Sequence, residues 1–178
     1  MITVRPERVE DQAAIQGVRA AATATLRQIY RPKQRAIENK SRISPGLQRL
    51  VAVVDGQVVG TVQYYIENQS VCLVGLGVAA DYRQKGVARS LIRHLENVGK
   101  REKAIQLKLH TVKETGNVDV FKRLGFTVVA EREDDFFESD RFDKLTDVEL
   151  IMQIPSTAPN HKVNRPGDTG EISRGSLY

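Results

Sequence analysis

The sequence has no tryptophan, a single cysteine among 178 residues, and no apolar run of the length a membrane helix requires. Its longest apolar stretch, Val71 to Ala80, is interrupted by Gly75 and Gly77 and falls well short of about 20 residues, which excludes a helical span. One thiol, Cys72, cannot close an internal disulfide and has no CxxC neighbour. Because it lies in a strand-like apolar run, it reads as core filling and not as a nucleophile. No charged and then apolar leader opens the chain, so a cytoplasmic location is the expectation, with no membrane partner. There is neither a GxGxxG fingerprint opening a βαβ unit nor a GxxxxGK[ST] loop, and no metal is expected.

What is present is a globular balance, 40% hydrophobic against 28% charged residues, in a length that suits one domain. We expect that domain over residues 1–155. Residues 156–178 hold only Val163, Ile172 and Leu177 as large aliphatics, too few to offset the entropy of ordering, and read as a mobile tail. The net charge of +5 invites an anion-binding or nucleic-acid reading, but the charges are segregated. Seven bases (Arg83, Lys85, Arg89, Arg93, Lys100, Arg101, Lys103) face three acids between Val78 and Lys103, whereas eight acids face three bases between Glu131 and Asp147. One zone suits an anion and the other a cation. With no RNP-like aromatic strand and no helix-turn-helix pattern, nucleic-acid binding rests on charge alone and is the weaker reading.

Periodicity predicts the elements. A strand over Ile2 to Val4 precedes a helix carrying Ile15, Val18, Ala22, Leu26 and Ile29, which Arg31-Pro32 ends. A polar helix follows over Lys33 to Asn39, then a loop from Ser41 to Gly46. Leu50 to Val54 and Gln57 to Ile66, joined by Asp55-Gly56, form a hairpin, because Asp-Gly takes the positive φ angles of a type I′ turn. A third antiparallel strand runs from Val71 to Val78. Next come a helix from Val87 with Leu91, Ile92, Leu95 and Val98 on one side, and a strand over Ala104 to Thr111. Strand, helix, strand requires a parallel pairing through a right-handed crossover. A short helix over Asn117 to Arg123 stops before Gly125, and strands at Phe126 to Ala130 and Val148 to Ile154 flank the acidic segment.

Chemistry concentrates where the strand ending at Val78 passes through a basic, glycine-containing loop into the helix at Val87. The first N–H groups of that helix lack intrahelical acceptors, and its dipole acts in the same direction as Arg83, Lys85 and Arg89, so the loop reads as an anion cradle. Arg83-Gln84-Lys85-Gly86-Val87-Ala88, preceded by Leu76 and Val78, resembles the R/Q-x-x-G-x-G/A motif of the GNAT superfamily of acyl-CoA-dependent N-acetyltransferases. Phe121-Lys122-Arg123-Leu124-Gly125-Phe126, 35 residues after Gly86, is similar to that family's closing Y-x-K-x-G-F segment. The resemblance implies an α+β fold: a central mixed, mostly antiparallel sheet with splayed parallel strands, the fourth and fifth, flanked by helices. It implies acetyl-CoA as co-substrate, its pyrophosphate held by main-chain N–H groups of Gln84, Lys85, Gly86, Val87, Ala88 and Arg89. The pantetheine arm would lie between the strands ending at Val78 and Thr111, beside Leu76 and Val78.

The implied reaction moves an acetyl group to a primary amine of a small molecule or peptide. Many members of the superfamily use a tyrosine as acid for the leaving thiolate where this chain has Phe121, which has no proton to give and reads as an apolar wall. Either another group or water protonates the sulfur, or the protein is a catalytically degenerate acyl-CoA-binding or regulatory module. No acid lies in Val71 to Val78 to serve as base, which leaves Glu67 and His110, and histidine has a suitable unperturbed pKa of about 6.5. Asp134, Asp135, Glu138, Asp140 and Asp143, interleaved with Phe136, Phe137 and Phe142, are expected either to hold a cationic acceptor or to form a solvated loop. His94 is expected on the solvated helix face. The residues do not choose between monomer and homodimer.

Overall fold

The computed structural model of the chain describes residues 1–155. The expected tail at 156–178 lies outside the described residues. Among the described residues nine strands and four α-helices follow one another as β1 (Thr3–Pro6), α1 (Gln12–Arg27), β2 (Arg31–Pro32), α2 (Gln34–Ile43), β3 (Gln48–Val54), β4 (Gln57–Glu67), β5 (Ser70–Val78), α3 (Val87–Arg101), β6 (Gln106–Val112), α4 (Asn117–Leu124), β7 (Thr127–Glu133), β8 (Phe137–Glu138) and β9 (Thr146–Gln153). Seven strands form one sheet in the order β1-β3-β4-β5-β6-β9-β7, in which β5 and β6 are the one parallel pair. The expected fourth and fifth strands are thus β5 and β6, their numbers raised by one because the short strand β2, which pairs with β8 outside the main sheet, precedes them.

Local sequence accounts for most of this. Asp55 and Gly56 take φ of 49° and 79° in the β3–β4 turn, and Asn68 and Gln69 take 48° and 58° between β4 and β5, so both hairpins turn through consecutive left-handed residues. α3 buries Val87, Leu91, Ile92, Leu95 and Val98 in the core formed with Val62, Val71, Leu107, Val148 and Leu150. Burying each such side chain contributes roughly 1.5–3 kcal/mol, which fixes the start of α3 against the sheet. That start is close-fitting: a Cβ on Gly60 of β4 would lie 2.6 Å from Val87 Cγ1. Two expectations need correction. α2 does not yield to a loop at Ser41 but continues to Ile43, which is buried, so tertiary packing holds its last turn. His94 is half-buried near Ile2 and Val4, and burial pushes its pKa down.

The central feature for function is the divergence of β5 from β6. Their pairing covers only Ser70 to Cys72 against Gln106 to Lys108. Beyond it β6 stays paired to β9 and β5 to β4, with an irregularity: Thr61 faces Gly77 while Gln63 faces Val74, so β5 carries one extra residue. Gly75 lies in that bulge with φ of 66°, a conformation L side chains rarely adopt. A bulge bends and twists the strand that carries it, and here it accompanies the opening of a slot between Leu73–Val78 and Leu109–Val112.

Candidate active site

The slot ends at the loop between β5 and α3. A single 3-10 turn over Ala80–Tyr82 leads to Arg83, after which Gln84 has φ of 59° and Gly86, the residue capping α3, has φ of 82°. No side chain caps this helix. The first amide of α3 that bonds to protein is that of Ser90, which donates to Gly86 O at 2.9 Å. The N–H groups of Gln84, Lys85, Gly86, Val87, Ala88 and Arg89 donate to no acceptor among the described residues. Unbonded amides in a loop of alternating backbone handedness are the kind of feature that suits an anion, and the helix dipole acts in the same direction. The Gly86 position has open space where a Cβ would stand.

The side chains of the loop are partly committed to local roles. Arg83 Nε donates to Val78 O at 3.3 Å, Arg89 Nη2 donates to Arg123 O at 3.4 Å near the end of α4, and Lys85 Nζ stands 5.4 Å from the Tyr82 ring centre. All three cations stay exposed at the rim. Leu76 and Val78 lie on the diverging half of β5 and pack partly against the core. Phe121 on α4 does so too, its ring edge-on to Phe126 with centroids 5.9 Å apart. Two shallow pockets, one beside the end of α1 and β8 and one beside His94, lie away from this slot.

The two candidate bases stand in different surroundings. Glu67 pairs with Ser70 at the closed end of the parallel strands, and its Oε1 is bound by Arg42 Nη1 at 3.2 Å. His110 lies two residues past the last paired residue of β6, on the strand that borders the slot. Its Nδ1 is 3.1 and 3.0 Å from the two carboxylate oxygens of Asp147, and Arg132 Nη2 reaches Asp147 Oδ2 at 3.0 Å. Burial pushes the Asp147 carboxyl up, but the His110 hydrogen bond and the His110 and Arg132 charges outweigh it and hold it below the ordinary carboxylate range. Glu149 completes the group, with Oε1 3.1 Å from Lys108 Nζ and Oε2 3.9 Å from His110 Nε2. Sequence reasoning missed Arg132, Asp147 and Glu149. The alternation of Thr146 to Leu150 put both acids on one face of a strand, but only the pairing register brings that face beside His110.

The acidic segment is already largely neutralised from within. Asp134 is 5% exposed and its Oδ1 accepts the N–H groups of Phe136 and Phe137 at 2.7 and 2.9 Å. Asp135 pairs with Arg35 at 3.1 Å, while Glu138 and Asp140 both pair with Arg31, at 2.8 and 2.6 Å. Tyr30 packs on Phe137, Arg35 covers Phe136, Lys33 N donates to Phe136 O, and the Ser139 hydroxyl donates to Ile29 O. The segment therefore clamps the α1–α2 connection. Cys72 is buried, and burial pushes its thiol pKa up, which suits core filling.

Comparison with known proteins agrees with this architecture. Residues 15–126 match the model of the Acetyltransferase (GNAT) family. No curated protein sequence matches the chain significantly. Among solved structures, the ribosomal-protein-S18-alanine N-acetyltransferase of Escherichia coli superposes with a TM-score of 0.67 at 16% identity, over 92% of this chain and 100% of the other. A Streptococcus mutans UA159 protein, smu.2055, gives 0.67 at 20% identity, over 86% and 99%. The PaiA N-acetyltransferase of Thermoplasma acidophilum, solved with coenzyme A, gives 0.63 at 18% identity, over 86% and 99%. At these identities the likeness establishes the fold.

Proposed function

The chain belongs to the GNAT acetyltransferase family, and from that premise we propose that residues 1–155 form an acetyltransferase domain moving an acetyl group from acetyl-CoA to a primary amine of a small molecule or peptide. The observation that carries this reading is the run of six amides from Gln84 to Arg89, without acceptors among the described residues, at the mouth of the β5–β6 slot. The pyrophosphate accepts from those amides, with Arg83, Lys85 and Arg89 at the rim. The pantetheine arm occupies the slot beside Leu76 and Val78, where its amides answer main-chain groups that the diverged strands leave unpaired. Phe121 walls the slot.

The amine attacks the thioester carbonyl directly in a ternary complex. Holding the two reactants together supplies up to about 7–11 kcal/mol of the barrier reduction, so the main-chain frame does much of the work. His110 acts as the base that delivers a neutral amine. Glu67, held by Arg42 at the closed end, is the lesser candidate. The thiolate leaves with the electron pair of its C–S bond and takes a proton from water, since Phe121 offers none.

A second reading, a catalytically degenerate acyl-CoA-binding or regulatory module, draws on Phe121. Thiol release from acetyl-CoA in the presence of a panel of primary amines separates the two: amine-dependent release above the hydrolysis background supports the enzyme, and tight acetyl-CoA binding without release by any amine supports the module.

A further inference from the structure

The faces of β6, β9 and β7 that carry His110 hold a charged group on an otherwise largely apolar sheet: Lys108 and His110 from β6, Asp147 and Glu149 from β9, and Arg132 from β7. We propose that His110 Nε2 and Glu149 Oε2 together seat the acceptor amine, and that Asp147 is the positioning residue that fixes the His110 tautomer leaving Nε2 free to accept its proton. This inference rests on the acetyltransferase reading above and names the acceptor seat of that same site.

Asp147 lies within hydrogen-bond distance of Nδ1 through both oxygens. A carboxylate only accepts, so Nδ1 carries the hydrogen and the neutral ring presents its lone pair at Nε2. Asp147 is 7% exposed and also bound by Arg132, so swinging away to solvent breaks its contacts with both His110 and Arg132. Glu149 is held through Oε1 by Lys108, which leaves Oε2 3.9 Å from both His110 Nε2 and Arg132 Nη2, beyond hydrogen-bond reach of each. A nitrogen set to one side of the line joining two acceptors 3.9 Å apart can stand about 2.9 Å from both, the distance at which a primary ammonium donates to each.

The charges of Lys108 and Arg132 balance those of Asp147 and Glu149. Across the parallel pair, Cys72 of β5 faces Lys108. An ammonium donates one proton to His110 Nε2, and the imidazolium so formed is stabilised by Asp147. The freed lone pair forms the C–N bond as the C–S bond breaks. Of the two protons the nitrogen loses in becoming an amide, one returns to solvent through His110 and the other reaches the thiolate sulfur through water.

Two measurements test this, one of them independent of the acceptor. Long-range proton–nitrogen NMR correlation on histidine-labelled full-length protein at pH 8, with the His110 signals identified by their loss in His110→Gln, is expected to show Nδ1–H and a bare Nε2. The opposite tautomer overturns the proposal. In thiol-release kinetics with spermidine, lysine, tyramine and an alanine-terminated tripeptide, His110→Gln is expected to lower kcat by about 100-fold. Asp147→Asn is expected to lower kcat by roughly tenfold or more and to disturb the tautomer, and Glu149→Gln to raise the amine KM by about tenfold, all three keeping the wild-type affinity for acetyl-CoA. Variants that turn over within twofold of wild type sink the seat while leaving the acetyltransferase reading intact. A wild type that does not bind acetyl-CoA sinks both. Should none of the four amines be acetylated, the tautomer decides.

Discussion

Arg5 and Asp11 make the tightest ion pair near the start of the chain, with Nη1 and Nη2 at 2.7 and 2.9 Å from the two carboxylate oxygens. Arg8 N donates to the same carboxylate at 2.7 Å. The Arg5 hydrogen bonds lead in holding the Asp11 carboxyl at about 2, against burial that pushes it up. A folded-state value below the unfolded one stabilises the fold above the unfolded pKa of 3.8, and the contribution is lost as pH falls from there towards about 2. Asp11→Asn is expected to cost about 1–2 kcal/mol at pH 7, the range of charged hydrogen bonds partly screened by solvent. Its melting temperature should then decline less than that of the wild type between pH 4 and pH 2. Parallel acid limbs in the two proteins would show that the pair contributes nothing to stability. Asp147, also depressed, adds to the same acid limb.

Among the elements, β5 decides the architecture of the site, because its bulge coincides with its departure from β6. Replacing Gly75 by valine demands a β-branched residue at φ of 66° and is expected to cost roughly 1–3 kcal/mol while pulling the strand towards regular pairing. The predicted outcome is a weakened affinity for acetyl-CoA in a protein that still melts cooperatively; unchanged affinity would separate the bulge from the slot. The clamp between β2 and β8 behaves differently. Its ion pairs from Arg31 and Arg35 are exposed, so Arg31→Ala should shift stability by less than about 1 kcal/mol in a denaturant titration. Elements fixed by local chemistry were legible in the sequence: the Asp55-Gly56 hairpin, the amphipathic α3 and the glycine stop at Gly125. The clamp was not, since Arg31 and Pro32 meet Glu138 and Phe137 across more than a hundred residues. Nor was the bulge, because Gly75 and Gly77 look alike until their pairing with β4 is known.

At the scale of the whole molecule, the GNAT resemblance of two short motifs correctly implied the mixed, mostly antiparallel sheet with one parallel pair. Of the basic stretch, Arg83, Lys85 and Arg89 flank the unbonded amides, while Lys100 and Arg101 stand in the last turn of α3. Within the acidic stretch Asp135, Glu138 and Asp140 pair with Arg35 and Arg31 while Asp143 stays exposed, and of the carboxylates beside His110, Asp147 closes that stretch and Glu149 follows it on β9, whose register no local pattern reveals. Binding of acetyl-CoA in the proposed manner requires the amides of Gln84 to Arg89 to receive its diphosphate. Calorimetry with acetyl-CoA on the wild type, Gly86→Glu and Ala88→Glu tests that most directly, with circular dichroism confirming the fold of each. Both glutamates are expected to weaken binding by at least about tenfold, equivalent to about 1.4 kcal/mol. Affinities equal to that of the wild type in both well-folded variants would contradict it.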